Sequence, residues 1–472
     1  MNIKFGTSGW RAIVSDEFTY NNVRIATQAI ADYVKESGLT DKGLIIGYDT
    51  RFMSERFAEA VAEVLAANGI KSFLTIRDTP TPAIASEIRH RQTAGGINLT
   101  ASHNPPEYNG IKFSPAWGGP ATPEVTSRIE SIANKLLADN ATPATMPVAE
   151  ATARGLIEII DIRPRYLDEI RGKLDMELIR KARLKVVADT LYGTGRDYLD
   201  VLLQDAGVEV ELIHGYRDPY FGNDIPEPNE EHLGDLISRV KQTGAHLGLA
   251  TDGDADRFGI IDSDGTYITP NQLVALLMVH LMETRGWKGS VVRTVATTHF
   301  IDAIAEKNGI TVRETPVGFK YIGEWMEKEP VIIGGEESGG LSIMGHVPEK
   351  DGLIACLLAA ELVAAKGQPL SQILMSLEAK YGKFYTGRVD LRLTPEKKDA
   401  LWKKLSSEPQ TQFAGSKIIE HKEVDGIGWK LEDGSYTLVR PSGTEPLLRC
   451  YVETLSESRL ESLLTDFRNL GL

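Results

Sequence analysis

Three times along this chain a short β-branched run ends in a small polar turn carrying threonine and then gives way to a helical pattern. Leu44-Ile45-Ile46-Gly47-Tyr48 meets Asp49-Thr50-Arg51 ahead of a helix expected from about Ser54 to Asn68. Leu184 to Ala188 meets Asp189-Thr190-Leu191 ahead of one from about Gly195 to Ala206, and Ser290 to Val295 meets Thr297-Thr298 ahead of one from about His299 to Asn308. This alternation is the signature of stacked βαβ units, and its recurrence reads as an internal repeat of three α/β domains. Asp and Thr also cap helices in unrelated βα turns, so the turns alone do not require a repeat.

The 472 residues leave room for three or four domains at about 100 to 200 residues each. Asn140 to Ala153, rich in Ala, Thr and Pro, reads as a linker or exposed edge, and a fresh strand pattern follows at Ile157-Glu158-Ile159-Ile160-Asp161. Past Tyr381, strand-like alternation over Tyr385 to Leu393 and Trp429 to Val439 brackets shorter helices, as in a separate α+β unit. The expected class is therefore α/β: three related α/β domains with mixed sheets at 1–153, 154–256 and 257–380, then a C-terminal α+β domain at 381–472.

A net charge of −14 argues against nucleic acid as the main partner, because phosphate-backbone binding needs a basic surface. An anionic substrate has to be gathered locally by a few arginines, lysines and backbone amides. The two cysteines, Cys356 and Cys450, lie in apolar surroundings and read as core residues in a reducing compartment. Met1 to Gly6 lacks the apolar run of a secretory signal, and the longest apolar stretch, Leu353 to Ala365, is interrupted by Glu361. It is too short to span a bilayer and is expected to be a buried helix, which places the chain in the cytoplasm.

Five stretches carry polar groups suited to chemistry. In Thr100-Ala101-Ser102-His103-Asn104-Pro105 a hydroxyl follows the apolar strand Gly95 to Thr100, on a loop that Pro105-Pro106 keeps irregular. A serine hydroxyl needs a proton acceptor or charge stabiliser nearby, and His103 and Lys112 are the nearest in sequence. The tripeptide Ser-His-Asn fits equally well a turn whose side chains bond their own backbone. Gly6-Thr7-Ser8-Gly9-Trp10-Arg11 lets the backbone approach an anion beside a forked donor, Arg11, or is an ordinary turn.

Thr251-Asp252-Gly253-Asp254-Ala255-Asp256-Arg257 sets three carboxylates at alternate positions after an apolar strand. They are costly to gather without a cation, and hard oxygen donors of this kind suit Mg²⁺; the alternative is a solvated acidic turn. Gly334-Gly335-Glu336-Glu337-Ser338-Gly339-Gly340 can offer carboxylate and hydroxyl to the vicinal hydroxyls of a sugar, with Gly318-Phe319-Lys320 upstream adding an aromatic and a cation. Both also fit plain strand-to-helix turns. Arg440-Pro441-Ser442-Gly443-Thr444-Glu445-Pro446 joins glycine, hydroxyls and an arginine into a phosphate cradle or a simple loop. A substrate using all five has hydroxyls in the middle and phosphate at an end.

These stretches, in this order and spacing, resemble the α-D-phosphohexomutase family across essentially the whole chain. The resemblance implies three α/β domains and a C-terminal domain similar to the TATA-box-binding protein fold, around one cleft. It implies that Ser102 is a phosphoserine and that Asp252, Asp254 and Asp256, with the serine's phosphate, hold Mg²⁺. Glu336 and Ser338 then grip the sugar, with Gly318 and Lys320 beside them, and Arg440, Ser442, Gly443 and Thr444 bind the phosphate that is not reacting. Arg11, Arg257 and Lys112 neutralise the travelling phosphoryl group, and His103, Lys112 or Lys320 takes the hydroxyl's proton. The implied reaction converts glucose 1-phosphate to glucose 6-phosphate through a hexose 1,6-bisphosphate. Mannose phosphate is the expected second substrate and glucosamine phosphate the other branch. Ala12 stands where the family more often has glycine.

Two other classes stay open. An aspartyl-nucleophile phosphatase built on Asp252 would not need Ser102, and a non-catalytic sugar-phosphate sensor would need only the Arg440 to Thr444 cradle. No partner beyond small sugar phosphates is expected, and either a monomer or a dimer is compatible with the sequence.

Overall fold

The structure, a computed structural model, describes residues 2–6, 9–407, 410–442 and 447–470. The first sheet is built from β1 (Trp10–Ile13), β2 (Leu44–Tyr48), β3 (Ser72–Thr75), β4 (Gly95–Leu99), β5 (Tyr108–Pro115) and β6 (Ile157–Ile160), in the order β1-β5-β4-β2-β3-β6. The second holds β7 (Lys185–Asp189), β8 (Glu209–Ile213), β9 (Leu247–Thr251), β10 (Phe258–Asp262) and β11 (Tyr267–Ile268), in the order β11-β10-β9-β7-β8. The third holds β12 (Ser290–Thr294), β13 (Val312–Thr315), β14 (Val331–Gly335) and β15 (Leu341–Ile343), in the order β13-β12-β14-β15.

One design recurs in all three. The first strand of each unit (β2, β7, β12) lies centrally, parallel to the second and third, and the fourth (β5, β10, β15) returns antiparallel beside the third. The central strands β2, β7, β9, β12 and β14 are buried almost throughout, as strands covered on both faces must be. The helix Gly352–Lys366 is buried over Gly352 to Val363, and Asp351 caps it by accepting the amides of Leu353 (2.9 Å) and Ile354 (3.1 Å). Among the described residues no single helix is long and apolar enough to cross a membrane.

The fourth sheet is wholly antiparallel: β16 (Tyr385–Arg392), β17 (Gln412–Phe413), β18 (Ser416–Lys422), β19 (Ile427–Leu431), β20 (Tyr436–Pro441) and β21 (Leu447–Thr454), in the order β16-β21-β20-β19-β18-β17. Leu463, Leu464 and Phe467 of the helix Glu457–Leu470 close its core together with Trp429 and Leu448. The chain is thus α/β in three units with an α+β unit at its end.

Several sequence expectations shift. Residues 140–153 are not all linker, because Val148–Ala153 is helical with Ala151 buried, and β6 beyond it joins the first sheet against β3. The expected breaks after Ala153 and Asp256 therefore do not match the sheets, and the second falls inside the β9–β10 hairpin. Trp429 to Val439 is two strands turning at Gly434, whose φ is 85°. The helix expected from Gly195 is regular only over Leu199–Asp205. Before it the chain passes through left-handed Leu191, Tyr192 and Asp197 so that bare glycines can press on the neighbouring loop. A Cβ on Gly193 would lie 2.8 Å from the carbonyl oxygen of Gly253. Both cysteines are buried and free.

Candidate active site

In each α/β unit the loop from the third strand to the antiparallel fourth carries the polar residues: Ser102 between β4 and β5, the three aspartates between β9 and β10, Glu336 and Ser338 between β14 and β15. These loops leave the carboxyl ends of parallel strands, where open α/β sheets bind ligands.

Ser102 is held rather than presented on a free tip: it is 1% exposed, with φ 52°. The buried guanidinium of Arg51 fixes its loop, donating to the carbonyls of Ser102 (2.7 Å), Asn104 (2.6 Å), Pro105 (2.8 Å) and Tyr108 (3.0 Å). Arg51 is in turn paired with Asp49 at 3.1 Å.

The Ser102 hydroxyl donates to Oδ2 of Asp252 at 2.7 Å, while Oδ1 of Asp252 accepts the amides of Asp256 (2.9 Å) and Arg257 (3.0 Å). Gly253 lets the two loops meet, since a Cβ there would lie 2.7 Å from the Ser102 carbonyl oxygen. Oδ2 of Asp254 accepts from Lys112 Nζ and Thr81 Oγ1, both at 2.6 Å. Oδ2 of Asp256 takes Lys350 at 2.8 Å and Lys112 at 3.1 Å. That leaves Oδ1 of Asp254 and Oδ1 of Asp256 buried with no hydrogen-bond partner among the described residues. One oxygen from each aspartate lies within 4.8 Å of the others. Partnerless buried oxygens on a triad this close fit a hard divalent cation, and the ammonium of Lys112 stands between two of the aspartates. Burial, then Asp254 and Asp256, push the Asp252 carboxyl well above the usual range.

Around this centre, Arg11 donates to Asn104 Oδ1 at 2.6 Å, and burial lowers its guanidinium to about 10. Arg257 pairs with Glu227 at 3.3 Å. His103 Nδ1 is 3.3 Å from Ser102 Oγ, and burial, then Arg257 and Arg11, hold the imidazole well below its usual range. Lys112 goes the other way: burial opposes its charge, but Asp254 and Asp256 outweigh it and raise the ammonium above the lysine range. The lowered lysine pKa that a base role demands is absent at Lys112, because two carboxylates face it.

In the β14–β15 loop, Glu336 Oε1 accepts the amide of Gly318, whose φ is 132°. Burial raises Glu336 to about 7. Ser338 is half-buried in the same turn. Lys320 is buried at the start of the helix Phe319–Lys328, and burial lowers its pKa. Arg440, on β20, is held by Asp425 through Nε (2.9 Å) and Nη2 (2.7 Å), and the same Asp425 oxygen accepts the amide of Val317 at 2.9 Å. The Ser442 amide donates to the Leu447 carbonyl at 3.0 Å. Gly443 and Thr444, like Thr7 and Ser8, lie outside the described residues.

A continuous run of contacts thus joins Ser102, the aspartates and Lys350, whose chain packs on Gly340, to the Glu336 turn, Gly318, Val317, Asp425 and Arg440. Sequence reasoning missed Arg51, Thr81, Lys350 and Asp425. Arg51 stands in the first repeated turn, where the neighbouring Asp and Thr account for the turn as a helix cap and leave the arginine without a role; the other three have no local signal.

Models of the phosphoglucomutase/phosphomannomutase domains match in chain order: alpha/beta/alpha domain I over 2–139, II over 164–265, III over 269–381 and the C-terminal domain over 393–470. A phosphoglucomutase/phosphomannomutase of Thermococcus kodakarensis is 33% identical, over 98% of this chain and 96% of its own. A phosphoglucosamine mutase of Clostridium kluyveri is 29% identical, over 100% and 99%. A crystal structure from Thermus thermophilus, assigned there as a phosphomannomutase, superposes with a TM-score of 0.87 at 31% identity, covering 100% of this chain and 99% of that one. With matching domains throughout, and Ser102 bonded into a buried carboxylate triad, the chain belongs to the phosphoglucomutase/phosphomannomutase family and is a phosphohexomutase.

Proposed function

We propose that the protein interconverts glucose 1-phosphate and glucose 6-phosphate, with mannose phosphate as a second substrate, by shuttling a phosphoryl group through Ser102. The observation that carries this reading is the 2.7 Å bond from Ser102 to Asp252, which puts the nucleophile and the cation site on shared atoms. Phosphorylated Ser102 gives its phosphoryl group to the free hydroxyl of a hexose monophosphate; the new P–O bond forms on the sugar, the bond to Ser102 Oγ breaks, and the hydroxyl's proton ends on Oγ. The resulting 1,6-bisphosphate turns end for end and returns its other phosphate to Ser102. Hexose 1,6-bisphosphate therefore serves as both intermediate and activator.

Asp252, Asp254 and Asp256, with the serine's phosphate, would hold Mg²⁺, which when bound would neutralise charge on the transferred group. Arg11, Arg257 and Lys112 add positive charge from other sides. His103, 3.3 Å from Oγ and held below its usual range, is favoured as the relay that passes the sugar hydroxyl's proton to Oγ; Lys112 is held charged, and Lys320, whose pKa burial lowers, is the alternative. Glu336 and Ser338 orient the sugar, Lys320 and the Gly318 turn flank it, and Arg440 with Ser442, Gly443 and Thr444 receives the unreactive phosphate. The glucose preference rests on the Gly335 to Gly339 and Gly318 to Lys320 sequences.

An aspartyl-nucleophile phosphatase fits poorly, since both oxygens of Asp252 are already engaged as an anchor. The test is a coupled assay of glucose 1-phosphate conversion with Mg²⁺ and a trace of glucose 1,6-bisphosphate, run beside mannose and glucosamine 1-phosphates. Fastest turnover with glucose, abolished in Ser102→Ala, supports the reading. Faster turnover of glucosamine, or release of inorganic phosphate alone, overturns it.

A further inference from the structure

Asp425 lies in the β18–β19 loop of the C-terminal domain, outside every motif that suggested function. Its position in the loop is narrowly set: Gly426, with φ 111°, would place a Cβ 2.4 Å from the Val439 carbonyl oxygen. One oxygen of Asp425 does two things. It takes Nε and Nη2 of Arg440, and it takes the amide of Val317 across the domain boundary. The next amide, Gly318, donates to Glu336 at 3.0 Å. Successive peptide groups at the start of the helix Phe319–Lys328 are therefore bonded in opposite directions, one to the domain that carries Arg440 and one to the sugar-facing carboxylate. A second carboxylate, Glu453, docks the same domain elsewhere, accepting the amide and Nδ1 of His299 at the start of the helix Phe300–Asn308. Asp425 differs in that its contact runs through to the ligand-facing groups.

We propose that Asp425 is a positioning residue that sets the phosphate-facing Arg440 and the sugar-facing Glu336 turn in one register when the C-terminal domain is docked. The inference rests on the phosphate-cradle reading of Arg440. It predicts that a charge on Asp425 is needed to aim Arg440, and that the acceptor on Asp425 is needed to fix the Pro316–Val317 peptide, next to the one that donates to Glu336.

Steady-state kinetics of the full chain with glucose 1-phosphate test it, with thermal melting as the control for folding. Asp425→Asn, which keeps an acceptor but loses the charge, should raise KM about tenfold with kcat changed less than about threefold, as expected for losing a charge-assisted bond that orients a binding group. Asp425→Glu should stay nearer to wild type. Arg440→Ala should raise KM at least as much, and the Asp425→Asn/Arg440→Ala double variant should be no worse than about twofold beyond Arg440→Ala, because the two act as a unit. Asp425→Ala should in addition change the ratio of KM for glucose and mannose 1-phosphates, which Arg440→Ala leaves in place. If Arg440→Ala raises KM while Asp425→Asn does not, or if the two effects multiply, Asp425 is not the positioning residue. If Arg440→Ala leaves KM unchanged, the cradle reading itself fails.

Discussion

Ser102 and Asp252 divide the work of the centre by how their atoms are occupied. Asp252 is fastened by two amides and the serine hydroxyl, whereas Asp254 and Asp256 each keep a buried oxygen with no partner among the described residues. If Ser102 carries the phosphoryl group as proposed, Ser102→Ala removes that carrier, and turnover in the coupled assay should fall by on the order of 10⁴-fold or more, leaving the melting temperature nearly unchanged. Arg51 is the complementary case, a residue that fixes where Ser102 stands through backbone carbonyls alone. Arg51→Met strands four carbonyls and the buried Asp49, and should destabilise the protein by about 3–5 kcal/mol in denaturant unfolding. Glu336 supplies the pH test. Burial raises it to about 7, so it is largely protonated below that pH and loses its capacity as an ionised acceptor for sugar hydroxyls. KM for glucose 1-phosphate should rise as pH falls through about 7, and Glu336→Gln should flatten that rise while raising KM at about pH 8.

The three functional loops are one loop used three times. Each connects the third parallel strand to an antiparallel fourth, and the repeat turns the chain into three sheets that offer Ser102, the carboxylate triad and Glu336 from matching places. The repeat is legible at Leu44, Leu184 and Ser290 because apolar strands covered on both faces leave continuous β-branched runs. The Asp252 loop is legible because alternate aspartates are costly without a cation. Other elements are not, and for physical reasons. β6 is short and its Ile159 is exposed, so nothing local marks it as an edge strand of the first sheet. The turn before Leu199 is shaped by backbone approach from another loop, which no propensity records. The same kind of approach makes its own prediction: Gly253→Ala forces the aspartate loop off the Ser102 carbonyl, and a displacement of about 1 Å should lower kcat by on the order of 10²-fold. Full activity in Gly253→Ala would show that the loops have slack the present packing does not display.

At the scale of the whole molecule the site depends on how the α/β units are locked together, and a polar network adds to the apolar core that runs through all three. Tyr166 and Arg165 sit on the helix Arg163–Arg171 between the first two sheets. Arg165 reaches Glu87 (2.7 Å) on the helix Thr81–Arg91 that follows β3. Glu169, one turn on, bonds Ser86 there and faces His346 of the third unit at 3.7 Å, while Tyr166 donates to Asp351. His346 is itself 2.6 Å from Asp351, with both side chains buried. The sequence does not show this lock: Ser86 and Glu169 are 83 residues apart and Tyr166 and Asp351 185, and each reads as a solvated group on its own helix or turn. Burial opposes charge on His346, but Asp351 and Glu169 outweigh it and raise the imidazole above 6.5. A histidine whose folded pKa exceeds its unfolded one contributes stability that is complete below the unfolded value and is lost as pH rises through the folded value. Wild type should therefore exceed His346→Leu by about 3 kcal/mol in unfolding free energy at about pH 6, and the gap should narrow by about pH 9. Lys173 opposes the charge on this histidine and so limits the gap without changing its sign. A gap independent of pH would mean that His346 is neutral in the fold and that packing alone joins the third unit to the helix Arg163–Arg171.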